Sequence, residues 1–164
     1  MTLNSYLKRT LAVFLIFASF ALNAQEKFGG LALYTVRDEM KEDPIATLKA
    51  VADAGYAYVE AAGYSDGKFY NMAPEDFGKV LKEAGLDPVS THQGGMTMEN
   101  VDQMIADVKK AGFKYFVIPV PPMGHFKVEN GKMGMSGELE FLTEVLNAVG
   151  KKCKDSGMEL LYHN

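Results

Sequence analysis

Two rhythms of apolar and polar positions run along this chain and hand over to each other at glycines. Four stretches show it: ADAGYAYVE (52–60), KEAGLDPVS (82–90), KKAGFKYFV (109–117) and KDSGMELLY (154–162). Each closes a polar-faced helix, passes through a small residue and a glycine, and opens a strand. Gly55, Gly85, Gly112 and Gly157 suit the left-handed conformation just past a helix end, where a Cβ is costly. Lys82, Lys109, Lys110 and Lys154 put cations in last turns, where they complement the helix dipole. Helix starts agree: Asp43-Pro44 and Ala73-Pro74 place proline at a first helical position, and Thr97 and Ser136 suit N-caps. The glycines lie 30, 27 and 45 residues apart, the size of βα units.

The pattern predicts strands over 30–36, 57–63, 87–92, 114–120 and 158–163, and helices over 44–54, 74–84, 98–111 and 137–156. Strands that alternate with helices and are apolar on both faces mean a parallel α/β sheet. Two architectures fit: an open sheet of the flavodoxin type, or about five of the eight βα units of a TIM barrel, which needs roughly 250 residues when whole. No glycine-rich phosphate loop follows the first strand, where LYTVRDEMKEDP offers Arg and acids instead. The last predicted strand has no covering helix after it. The expectation is therefore a parallel (β/α) barrel fragment, open on one side, with strands in sequential order and helices outside. Its uncovered edges, and the apolar side of Leu160 and its neighbours, predict a marginally stable chain that aggregates or dimerises.

The amino end follows a different pattern. Lys8 and Arg9 precede the apolar run LAVFLIFASFAL (11–22) and then Asn23-Ala24-Gln25. A basic flank, a short apolar run and small residues form a secretory signal peptide over 1–24. Twelve residues fall short of the hydrocarbon core of about 30 Å, and no Cys follows to make a lipoprotein. The expected location is periplasmic or secreted, with no membrane span after signal cleavage and residues 25–164 as one domain. Losing 1–24 removes two bases and no acid, leaving 15 bases against 21 acids. A mildly acidic chain with no basic cluster gives nucleic acid little to hold. The single cysteine, Cys153, excludes an internal disulfide framework and reads as a buried apolar residue.

In parallel α/β folds, ligand-binding side chains gather at the carboxyl ends of strands and in the loops that follow. Those positions collect Tyr34, Thr35 and Arg37, then Glu60 and Tyr64, then His92 and Gln93, then Pro119 to His125, and finally His163 and Asn164. His92 and His163 share equivalent strand ends. Each has a plainer alternative: His92 as a hydrogen-bonded rim residue, Glu60 as the partner of Arg37 or another cation. His125 sits in a 17-residue connection (119–135) with an Asn-Gly turn signal, a solvated loop residue or part of a lid. Met96, Met98, Met133 and Met135 read as packing fillers.

The stretches LALYTVRDEMKEDPIATLKAVADAGYAYVEAAGY, GLDPVSTH and LNAVGKKCKDSGMELLYHN together resemble the xylose isomerase-like TIM barrels, above all exported sugar phosphate isomerase/epimerases. The likeness covers 29–164, and LYTVRD and the final YHN are its most specific pieces. It implies a metal-dependent isomerase or epimerase of a small sugar or polyol. The divalent metal (manganese, magnesium, cobalt or zinc) would be held in a full-length protein by side chains of strands five to eight, and not tightly by this chain. By the same resemblance His163 stands as the fifth-strand metal ligand, where many relatives have a carboxylate. Asn164 then steadies that ligand or contacts substrate, and Glu60 and His92 match sugar-contacting positions; Tyr34 and Arg37, by their place after the first strand, are expected to bind substrate as well. It implies that the chain as given is inactive. A lyase or dehydratase on an oxidised sugar or inositol would use the same barrel, and a non-catalytic exported sugar-binding module is the reading from another class. Glu60, His92 and His163 are expected to face one concave surface.

Overall fold

The computed structural model describes residues 27–120, 126–135 and 139–163. The signal peptide expected over 1–24, the cap at Ser136, His125 and Asn164 lie outside the described residues. The elements are β1 (Phe28–Ala32), a 3-10 turn (Leu33–Val36), α1 (Arg37–Glu42), α2 (Pro44–Asp53), β2 (Tyr56–Ala61), β3 (Tyr64–Ser65) and β4 (Lys68–Phe69). There follow α3 (Pro74–Ala84), β5 (Asp87–His92), α4 (Val101–Lys110), β6 (Tyr115–Ile118), β7 (Phe126–Glu129), β8 (Lys132–Met135), α5 (Leu139–Asp155) and β9 (Glu159–Tyr162). The main sheet is parallel, ordered β1-β2-β5-β6-β9, so its five strands are neighbours in sequential order. The sheet is TIM-barrel-like and is not closed among the described residues.

Register explains its two faces. Parallel neighbours in register point the same way, and side chains alternate along each strand. Ala61, Thr91, Phe116 and Leu160 are successive partners across the sheet. Val59, Ala61, Phe116 and Ile118 join one core with Leu48 of α2, Phe77 of α3, Ile105 of α4 and Val149 of α5. The helices form a layer over that face, each packed on the next. The opposite face carries Tyr58, Glu60, Ser90, His92, Val117 and Leu161, and there Tyr58 and Leu161 are each about 40 % exposed (42% and 41%).

The helix ends follow the glycine pattern. Gly85 closes α3 in the left-handed region at φ 71°, and Gly55, Gly112 and Gly157 also have positive φ. Asp43 caps α2 by accepting a 3.0 Å hydrogen bond from the Ala46 amide, with Pro44 next in line. Cys153 is fully buried, and burial pushes its thiol up to about 11.

Several expectations are corrected. The first strand ends at Ala32, where pairing with Glu60 ends, and Leu33 then turns into the core. Helix α4 begins at Val101 rather than near Thr97, because the Asn100 side chain is engaged in the preceding loop, accepting from the Thr97 amide (2.8 Å) and donating to the Gly95 carbonyl (3.1 Å). Leu160 packs against the core under α5, and Leu161 is the exposed one, a direct result of strand alternation. The connection 119–135 contains the antiparallel pair β7–β8, turned at Asn130-Gly131 with φ 52° and 73°. Such paired left-handed residues make the hairpin turn that Asn-Gly signals.

An aromatic cluster fixes the core beneath the strand ends. Phe69 stacks on Phe77 at 5.3 Å and tilts against Phe113 at 5.5 Å, and Tyr70 meets Phe77 at 5.5 Å. Phe77→Ala is expected to cost about 3–5 kcal/mol in urea unfolding, whereas Ile45→Ala, on the exposed side of α2, changes stability by about 0.5 kcal/mol or less. Equal effects would place the core elsewhere. Within the described residues β1 pairs only with β2, and β9 only with β6. Self-association through these edges and the exposed face is the expected solution behaviour. Sedimentation should show Leu161→Lys shifting the chain toward monomer.

Candidate functional site

Glu60 leaves β2 on the face away from the helices, and the register sets it beside Ser90 of β5. Ser90 Oγ donates a 2.6 Å hydrogen bond to Glu60 Oε2, and His92 Nε2 lies 3.1 Å from Glu60 Oε1. That nitrogen is buried and has no aligned hydrogen bond, so the two groups lie close without one. The two side chains stay 21% and 30% exposed, on the sheet face away from the helices. His92 is the partner of Val117, and Val117 of Leu161, which carries the chain onward to His163. The His163 amide donates to the Ile118 carbonyl (3.0 Å), and its ring meets His92 edge-on, centroids 5.7 Å apart. Glu60 pairs with His92 and Ser90 rather than with Arg37. A carboxylate against a hydroxyl and one imidazole, with a second imidazole edge-on to the first, is an arrangement that can hold and pass a proton.

Tyr34 and Arg37 are placed elsewhere. The Arg37 guanidinium lies over the Tyr34 ring, 4.9 Å from its centroid, and donates to the Tyr34 carbonyl at 3.2 Å. Both line a cleft of about 530 Å³ between the turn after β1 and the β3–β4 hairpin. Glu60 lines a different groove of about 260 Å³ with Gly30, Tyr58 and Ser90, and the two linings share no residue. Gln93 takes the opposite face from His92, fully buried, with Nε2 donating to Thr91 Oγ1 (3.1 Å). It is not part of the site.

The hairpin that shapes the cleft is held by two tyrosines. Tyr64 donates to the buried Asp107 of α4 (2.8 Å), whose other oxygen accepts from Gln103 (2.9 Å). Burial first, and then the Asp107 hydrogen bond and charge, hold the Tyr64 phenol well above the ordinary tyrosine range. Tyr70 accepts from the Ala62 amide (3.0 Å); burial pushes its phenol up to about 12, with the Ala62 and Gly63 amides pulling partly back. A Cβ on Gly63 would lie 2.2 Å from the Tyr70 ring, so only glycine lets that ring seat. Sequence reasoning missed Ser90, Lys41, Lys68, Tyr70 and Asn71. The Asp66-Gly67 pair, at φ 52° and 76°, was the available signal for the hairpin.

Among the described residues no three His, Cys, Asp or Glu side chains are placed to hold a metal ion. Glu60, His92 and His163 therefore do not make a complete divalent-metal site between them. No helix among the described residues is long and apolar enough to cross a membrane.

Neither a family model nor a curated protein matches the chain. Solved structures do. A sugar phosphate isomerase/epimerase from Parabacteroides distasonis ATCC 8503 superposes with a TM-score of 0.63 at 24% identity, over 85% of this chain and 55% of its own. A second sugar phosphate isomerase/epimerase from the same strain has a TM-score of 0.59 at 29% identity, over 87% and 52%. D-psicose 3-epimerase, solved with D-fructose, gives 0.53 at 13%, over 80% and 50%. All three of these neighbours are sugar isomerase/epimerases, and the chain spans about half the length of each.

The Tyr64–Asp107 contact yields a prediction. Its raised pKa stabilises the fold fully below the ordinary tyrosine value, and that contribution is lost as pH rises through the folded value. Asp107→Asn is expected to lower the Tyr64 pKa yet leave it above normal, because burial is the larger cause. Spectrophotometric titration against Tyr64→Phe measures this, and an unchanged curve would refute the assignment.

Proposed function

We propose that this chain carries part of the site of a sugar isomerase/epimerase acting on a small sugar or polyol, with Glu60, His92 and His163 handling the proton beside a carbonyl. The observation that carries the reading is the Ser90–Glu60–His92 contact with His163 edge-on, set at the carboxyl ends of β2, β5 and β9, with β6 between the last two. The fold is that of sugar isomerase/epimerases, which supports it. In a parallel barrel wall those ends are where chemistry is placed. In this reading Glu60 takes or returns the proton, His92 lies against the second Glu60 oxygen, and His163 faces the substrate, with Asn164, next in sequence, proposed as a further substrate contact.

The divalent metal is proposed only for a protein of the neighbours' full length, because the described residues supply too few ligands. The 164-residue chain alone is proposed to lack turnover and tight metal binding. Export to the periplasm or exterior is proposed on the amino-terminal pattern of 1–24, and nucleic acid is not proposed as a partner, given 21 acids against 17 bases.

The test titrates Mn²⁺ and Zn²⁺ into the chain and follows solvent deuterium entering a panel of ketoses and aldoses. No turnover and no micromolar metal binding are expected of the chain itself. In a protein of full length, Glu60→Gln and His92→Asn are each expected to slow exchange by about 10²–10⁴. Turnover by the chain with one-to-one metal binding abolished by His163→Ala would overturn the partial-site reading. Sugar binding without turnover at full length would leave a binding module in its place.

A further inference from the structure

The cleft of about 530 Å³ has a charge unlike the rest of the molecule. The chain has 21 acids against 17 bases, yet the cleft lining holds Arg37, Lys41 and Lys68 and no acid. Arg37 is set in place by its stack on Tyr34 and a single donated bond to the Tyr34 carbonyl. A guanidinium has five N–H donors, so a fork remains for an oxygen pair. The Lys68 side chain makes neither ion pair nor hydrogen bond among the described residues. Lys41 has only a 3.5 Å contact to Asp38 with both side chains over 70 % exposed (74%/73%), which holds it weakly.

The backbone is shaped for the same place. Tyr70 and Asn71 both have left-handed φ, 48° and 65°, a costly conformation for a ring-bearing residue. Two bonds hold it there: the Tyr70 amide to the Gly63 carbonyl (2.8 Å), and the Ala62 amide to the Tyr70 hydroxyl (3.0 Å). The result sets Asn71 on the cleft wall beside the cations. Leu33 and Met40, fully buried, give the floor an apolar surface. A volume of this size accepts a sugar-sized ligand.

We infer that this cleft binds the anionic group of a sugar-sized ligand, a phosphate monoester or a carboxylate, through Arg37, Lys68 and Lys41. The inference deepens the proposed sugar site and rests on that reading for the carbon skeleton, while the charge preference rests on the cleft alone. Arg37 grips two anion oxygens in its plane, and Lys68 and Lys41 add point charges from the rim.

Isothermal titration of the chain with D-glucose, D-glucose 6-phosphate and D-glucuronate tests it. At least one charged sugar is expected to bind about tenfold or more tighter than glucose, the tighter one identifying phosphate or carboxylate, and to weaken as salt rises. Arg37→Gln and Lys68→Gln are each expected to weaken that ligand by about tenfold and leave glucose unchanged. Lys79→Gln, outside the cleft, leaves all three unchanged. Equal affinity for the three sugars, no binding of either charged one, or affinity indifferent to both cleft substitutions would overturn the inference. Proton exchange that survives Glu60→Gln and His92→Asn defeats the isomerase reading and leaves the anion preference standing. Loss of that preference with exchange intact defeats this inference alone.

Discussion

Strand register is the constraint from which the arrangement follows. In a parallel sheet, neighbours in register share a face, so committing Val59, Ala61, Phe116 and Ile118 to the helix layer leaves the intervening positions no choice. Glu60, Ser90 and His92 come together on the other face because Glu60 pairs with Ser90 and the register continues to His92 and Val117. A one-residue slip of β5 would bury His92 under the helices and break the Glu60 contact. The apolar core thus positions the polar cluster without touching it.

The irregularity between Val59 and Glu60 in the β2–β5 pairing is part of that positioning. Val59 pairs with Pro88 and Glu60 with Ser90, so the step skips one residue just before the carboxylate. Bulges of this kind re-aim side chains and occur beside active sites. Here the step brings the carboxylate level with a hydroxyl two residues before the histidine.

The second support is aromatic. Phe69, the last residue of a two-residue strand, is completely buried against Phe77 and Phe113. Burying one such ring stabilises by about 1.5–3 kcal/mol, enough to hold a hairpin too short to persist alone. That anchor, with the Tyr64–Asp107 bond, fixes one wall of the basic cleft, while the stacked Tyr34–Arg37 pair forms the other. Two surfaces of opposite character result: a carboxylate–imidazole cluster on the sheet face and an acid-free cationic cleft beyond the first two strand ends.

The sequence by itself determined the alternation of strands and helices, the parallel order and the glycine-closed helix ends, because these depend on local periodicity and backbone sterics. It also placed Glu60, His92 and His163 at strand ends, since a strand's carboxyl end can be read from where its apolar run stops. Whether those three touch depended on register, a relation between distant segments that no local pattern encodes. Likewise Arg37 left the group because β1 ended at Ala32 and the chain turned away, a choice made by where pairing with Glu60 ran out. Ser90, Lys68, Tyr70 and Asn71 looked like ordinary strand and loop residues. Register gave Ser90 its place in a site, and the packing of Phe69 into a core built from helices later in the chain gave Lys68, Tyr70 and Asn71 theirs.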